Sequence, residues 1–172
     1  MRLFVAIPME GEIKNALRGV QNELRRRGVE GNYTRPENLH LTLAFIGDYP
    51  DPDAVMEAMA ALRFAPFSLR LGAPGAFEEL WWVGLEAGEE LETLARRLRR
   101  ALADEAIPFD RKTFRPHITL IRKPRCKSDP RLGTLTVPDA EMSVGRVSLM
   151  LSTRGKRGMI YTELGSVPAQ RE

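Results

Sequence analysis

The chain contains two histidines, and each opens the same four-residue pattern. One copy is His40-Leu41-Thr42-Leu43 and the other is His117-Ile118-Thr119-Leu120, 77 residues further on. At ordinary residue usage a given His meets apolar-Thr-apolar about one time in a hundred, and both do so about one time in ten thousand. The residue types suit acid–base work. Imidazole titrates near working pH, so one neutral and one charged ring can act as general base and general acid on opposite sides of one reacting centre. A threonine hydroxyl two residues along can donate to or accept from a bound oxygen. Phosphoryl transfer asks for this set, because a nucleophile enters and a leaving oxygen departs on opposite sides of phosphorus. Cationic side chains can balance the phosphate charge there without a metal. The sequence has them: seven Lys/Arg and no acid lie between Arg111 and Lys127, and Arg154, Lys156 and Arg157 follow. Taken one by one, most of these read as a solvated loop. Arg122 differs because it closes the second His segment.

The surrounding alternation reads as strand. Strand residues two apart share a face. His40 and Thr42 therefore point one way and Leu39, Leu41 and Leu43 the other, and His117 and Thr119 oppose Ile118 and Leu120 likewise. A strand is expected over Arg2–Ile7, then a helix over 10–27 with Ile13, Leu17, Val20 and Leu24 inward and Gly28 as its stop. Residues 31–38 read as a loop. Asp51-Pro52 caps a second helix. Strands follow at Phe67–Leu71 and Glu79–Leu85, separated by a Gly/Pro turn. A helix spans 89–104, with Arg96, Arg97, Arg99 and Arg100 mostly on its solvated faces. Residues 124–138 read as an exposed loop, and Val144–Leu151 and Met159–Leu164 as a hairpin with a loose tail beyond Gly165. The order predicts α+β with antiparallel sheets.

Bulk composition narrows the classes. At 43% hydrophobic and 28% charged the chain can build a core, which excludes a disordered segment. A net charge of +3 favours an anionic partner. Cys126 is alone, so neither a disulfide framework nor a cysteine metal cluster is available. Two histidines without a neighbouring carboxylate or cysteine group fall short of a metal-ligand set. No membrane-length apolar run is present and the opening residues do not read as a signal peptide, so a cytoplasmic protein is expected.

With Pro36-Glu-Asn-Leu-His-Leu-Thr-Leu43 and Arg115-Pro-His-Ile-Thr-Leu-Ile-Arg122, the chain resembles the two-histidine (2H) phosphoesterases. Within them it is similar to the bacterial and archaeal RNA 2′,3′-cyclic phosphodiesterases, historically called 2′-5′ RNA ligases. The likeness extends to Arg2–Pro8, Leu80–Gly84 and Val147–Leu151, nearly the whole chain. It implies one domain over residues 1–172. Its fold would be bilobal α+β, with two pseudo-symmetric lobes of antiparallel sheet, helices outside and the active cleft between. It implies hydrolysis of an RNA 2′,3′-cyclic phosphate end to a 2′-phosphate with no metal and no cofactor, and ligation as a reverse activity. His117 would be the base that activates water and His40 the acid that protonates the 3′ oxygen. Thr42 and Thr119 would hold phosphate oxygens and Arg122 would stabilise developing charge. The expected partners are RNA ends, tRNA fragments or small cyclic nucleotides. A monomer that does not engage membranes is expected.

Phe45, as a base-stacking platform, and Arg122 rest on the resemblance alone. Each lies five residues after its His, and odd spacing puts it on the opposite face unless a bulge intervenes. Of Trp81 and Trp82, one faces in and the other is free to stack a base. Tyr33 and Arg35 read as loop residues near the cleft. A non-catalytic RNA-end or nucleotide binder is the competing class, but binding a phosphate does not require two titratable groups.

Overall fold

The computed structural model describes residues 1–170. The elements in order are β1 (Arg2–Pro8), α1 (Gly11–Arg26), β2 (Glu30–Tyr33), β3 (His40–Asp48), α2 (Pro52–Met59) and β4 (Phe67–Phe77). They continue with β5 (Leu80–Glu86), α3 (Gly88–Asp104), β6 (His117–Arg125), β7 (Glu141–Val144), β8 (Arg146–Gly155) and β9 (Gly158–Pro168). All strand pairings are antiparallel and form one nine-stranded sheet, ordered β7-β4-β5-β6-β3-β1-β8-β9, with β2 beside β6.

That order is a palindrome in structure. From the centre outward, β3 answers β6, β1 answers β5, β8 answers β4 and β9 answers β7. The two halves meet at a single ladder pair, Leu41 with Ile118. Each of these residues directly follows its histidine, so the local twofold passes between them. Beyond this pair β6 turns from β3 to take β2 as its neighbour.

The helices build one face of the sheet. Ile13, Leu17, Val20 and Leu24 of α1 and Leu91, Leu94, Leu98 and Leu102 of α3 are all buried, as their spacing predicts. Each helix reaches under the other half's His strand: α1 packs on β6 and β7, and α3 packs on β3. Asp51 caps α2 by accepting from the Ala54 N–H, the expected Asp-Pro start.

The two helices end alike. Gly28 follows α1 at φ 82° and Ala106 follows α3 at φ 56°. In both cases the next residue closes the turn, Val29 N–H to Leu24 and Ile107 N–H to Leu102. Glycine adopts this left-handed cap freely, whereas an L-residue with a Cβ is disfavoured there by about 1–2 kcal/mol. Ala106→Gly should therefore stabilise the protein by about 1 kcal/mol after glycine's entropy cost, or about 2–4 °C in Tm. A thermal melt that moves down would show that Ala106 is not strained.

Four stretches depart from the sequence reading. Residues 31–38 are not all loop, because β2 begins at Glu30 and a short 3-10 turn spans Pro36–Asn38. The Gly/Pro segment after Leu71 stays in β4 as far as Phe77. Within 124–138, β6 continues to Arg125 and a 3-10 turn spans Leu132–Thr134. The tail beyond Gly165 is paired with β8 as far as Pro168; the part of it at positions 171 and 172 lies outside the described residues.

Candidate active site

The register of β3 and β6 places the four motif residues. With Leu41 opposite Ile118, His40 stands across from Thr119 and Thr42 across from His117, all on the sheet face away from the buried leucines. The histidines hold opposite corners of a four-residue square. Diagonal cross-strand neighbours are about 7–8 Å apart, close enough for both rings to reach one bound phosphate.

Each ring is held by the chain just before it. Nδ1 of His40 donates to the Asn38 carbonyl at 2.6 Å, and Nδ1 of His117 donates to the Arg115 carbonyl at 2.6 Å. A carbonyl only accepts, so both hydrogens sit on Nδ1 and both Nε2 atoms are left for chemistry. Nε2 of His40 lies 3.0 Å from the Thr42 hydroxyl. Aromatic walls fix the ring planes. Phe4 and Tyr161 stand 5.0 and 5.2 Å from His40. Phe77 and Trp82 stand 5.2 and 6.0 Å from His117. His40 is held below its ordinary pKa, first by burial and then by the positive charges of Arg122 and His117, against the Asn38 carbonyl, which favours its proton.

Bulges settle the odd spacing of Phe45 and Arg122. In β3 the pairing with β1 jumps from Ala6–Thr42 to Val5–Ala44, which skips Leu43. In β6 the pairing with β5 jumps from Trp82–Thr119 to Trp81–Ile121, which skips Leu120. Both extra residues lie three after the histidine. Each bulge turns the residue five after the histidine onto the histidine's own face. Phe45 then lines a groove with Thr42 and His117. It also packs on Phe4 and Met150 and lies under the Arg2 guanidinium. Arg122 opens onto a second groove beside Asn38 and Tyr161.

Two side chains that the sequence reading left as ordinary helix residues secure these bulges. Gln21 on α1 is buried, and its amide donates to the carbonyls of Thr34 (2.8 Å) and Leu120 (3.0 Å). Arg99 on α3 donates to the carbonyl of Leu43 at 3.3 Å and to that of Lys112 at 2.8 Å. Arg99 is therefore half-buried against the site rather than solvated. Its guanidinium also sits 5.7 Å from the centre of the Phe114 ring. A polar residue in phase with Leu17 and Leu24 is the signal that marks Gln21. Gln21→Leu should cost about 1–3 kcal/mol by stranding buried carbonyls. Urea unfolding measures this, and an unchanged midpoint would mean that water replaces the amide.

The other expectations sort as follows. Trp81 packs on the core and Trp82 stands on the opposite face as a wall of His117, each partly exposed. Tyr33 is held by its hydroxyl to the Val29 carbonyl, under the Arg25 guanidinium. Arg35 reaches the Arg157 carbonyl. Cys126 is an exposed loop thiol. Among the described residues no three His, Cys, Asp or Glu side chains converge, and no helix is long and apolar enough to cross a membrane.

Comparison with known proteins agrees with this geometry. The sequence model of the 2′-5′ RNA ligase superfamily matches residues 12–156. The chain belongs to the 2′-5′ RNA ligase superfamily. It is 36% identical over 183 residues to the RNA 2′,3′-cyclic phosphodiesterase of Thermus thermophilus, covering 95% of this chain and 88% of that one. It is 34% identical over 129 residues to the protein of the same name from Geobacillus stearothermophilus, of whose length the match spans 41%. Among solved structures in the superfamily, Escherichia coli LigT complexed with 3′-AMP superposes at a TM-score of 0.82 with 26% identity, over 99% of this chain and 98% of that one.

Proposed function

We propose that this chain hydrolyses terminal 2′,3′-cyclic phosphates of RNA to 2′-phosphates by a metal-independent two-histidine mechanism, its two halves working as one domain. The observation that carries the reading is the pair of imidazoles at opposite corners of the square, each with Nδ1 tied back and Nε2 left for proton transfer. His117 Nε2 takes a proton from water as the water oxygen bonds to phosphorus. The P–O3′ bond breaks on the far side, and His40 Nε2–H gives its proton to O3′. The products are a 2′-phosphate and a 3′-hydroxyl, and solvent returns the histidines to their starting forms. Thr42 and Thr119 hold non-bridging oxygens. Arg122, brought onto this face by its bulge, meets the developing charge. Phe45, on the wall of the groove beside His117, is the stacking platform for the terminal base. The names of the relatives and the 3′-AMP in LigT support the substrate class.

The depressed pKa of His40 has a kinetic sign. As the acid, His40 must carry its proton, and in the free enzyme it loses that proton below the usual imidazole value. The alkaline limb of kcat/KM should therefore fall below about pH 6.5, the ordinary imidazole pKa. The negative charge of a bound phosphate opposes the Arg122 and His117 charges, so the alkaline limb of kcat should lie higher. The deciding experiment incubates a short RNA ending in a 2′,3′-cyclic phosphate with EDTA across this pH range and identifies the product end. A 2′-phosphate with a bell-shaped profile is expected. Binding without turnover would make the protein a binding module. Loss of activity to EDTA would overturn the metal-independent reading.

A further inference from the structure

The local twofold that pairs the histidines also builds two grooves, one on each side of them. Residues 31–35 wall one as residues 110–115 wall the other. The folds of the two are alike and their chemistry differs. The first, about 800 Å³, has Phe45, Phe77 and Phe114 beside His117. Its walls mix the cations Arg99, Arg111, Lys112 and Arg115 with one acid, Asp110. The second, about 850 Å³, is lined by Arg35, Arg122, Lys123, Arg154 and Arg157 with no acidic residue among its walls. Among the described residues none of these five cations is in an ion pair. Where the first groove receives Phe45 from its bulge, the second receives Arg122 from the matching one.

The second groove is also fixed in place. The Arg35 guanidinium donates to the Arg157 carbonyl and the Asn38 amide donates to the Met159 carbonyl at 2.9 Å. These bonds pin the tip of the β8–β9 hairpin to the segment that leads into His40. The groove opens on His40's side, since Asn38 and Tyr161 belong to its wall.

Resting on the hydrolase reading above, the geometry points to this basic groove as the track for the 5′-ward phosphates of a single RNA strand, so the preferred substrate is an oligonucleotide rather than a cyclic mononucleotide. The chemistry supplies the direction. O3′ departs toward His40, so the terminal ribose lies on that side. The strand continues from the same ribose through its 5′ oxygen, and the groove on that side is the one that carries five unpaired cations and no acid. Cations that meet only phosphates attract any sequence and make binding salt-dependent.

The test compares uridine 2′,3′-cyclic monophosphate with a 2′,3′-cyclic-ended RNA hexamer over a salt series. For the hexamer, log kcat/KM should fall with log salt by about 0.7 per neutralised phosphate, more steeply than for the mononucleotide. Arg154→Ala/Arg157→Ala should flatten the hexamer slope by about 1.4, two phosphates' worth, and reduce the preference for the hexamer. Equal slopes for the two substrates, or a hexamer slope unmoved in the double variant, would overturn the groove. The same slopes are read from fluorescence anisotropy with a 2′-phosphate-ended hexamer. If neither substrate is turned over, the hydrolase reading fails, while the anisotropy slopes still decide the groove.

Discussion

His40→Ala and His117→Ala are each expected to lower kcat by on the order of 10²–10⁴, with the fold retained. On the proposed mechanism each ring supplies one proton transfer, and the reaction needs both. The double variant should fall little below the worse single one, because groups that act on one transition state lose their value together. The rings also pack, so the fold needs its own readout. His40 touches Phe4 and Tyr161, and alanine there leaves a gap in that wall. His40→Gln and His117→Gln fill more of the space without supplying an acid of useful pKa, and they should be as inactive as alanine. A urea midpoint close to the parent's, with turnover gone, separates chemistry from folding. Near-parental hydrolysis in either single variant would sink the acid–base assignment.

Gly75→Ala is the second large effect, and it lies away from the reacting atoms. Gly75 pairs with Trp82 across β4 and β5. A Cβ at Gly75 would stand 2.4 Å from two carbons of the indole ring. Trp82 also lies against Phe77 and His117, so an indole pushed off Gly75 bears on the His117 ring. Displacement of about 1 Å at a reacting group costs about 10² in rate, and overpacking costs about 1–3 kcal/mol of stability. Trp82→Phe in the Gly75→Ala background should recover part of the rate by removing the colliding ring. If Gly75→Ala turns over at the parental rate, Trp82 does not position His117.

The motif pair and its faces were legible because alternation in a strand is a local property, and His40-Leu-Thr-Leu declares both faces within four residues. The helices were legible for the same reason at a different period. What escaped the sequence is what only pairing creates. Glu30-Gly-Asn-Tyr33 carries no apolar alternation, and it is a strand because β6 lies beside it. Pro74 and Gly75 look like a turn, yet β7 pairs β4 only through Arg70. Past that point β4 is an edge on one side, where a proline forfeits no ladder bond. Ser166 to Pro168 give no strand signal and are held by β8 alone. Nothing local marks Leu43 or Leu120 as a bulge. The odd spacing of Phe45 and Arg122 raised the question, and only the partners' register answered it. Arg99 looked solvated because the carbonyl it serves belongs to β3.

The palindromic strand order fixes when this enzyme can come into being. One half, β4 to β7, is contiguous in the chain. The other joins β1 and β3 to a hairpin made last, since β1 takes β8 as its outer neighbour. Synthesis runs from the N-terminus at about 5–20 residues per second, so β1 waits on the order of ten seconds for that neighbour. During that interval Leu3, Val5 and Ile7, all buried in the finished protein, stand beside an unpaired strand edge. The half that carries His117 can close while the ribosome is still at work. The half that carries His40, with Tyr161 as its wall, cannot. A nascent chain therefore holds a half-built centre, and the pair of histidine sites is complete only with the final hairpin.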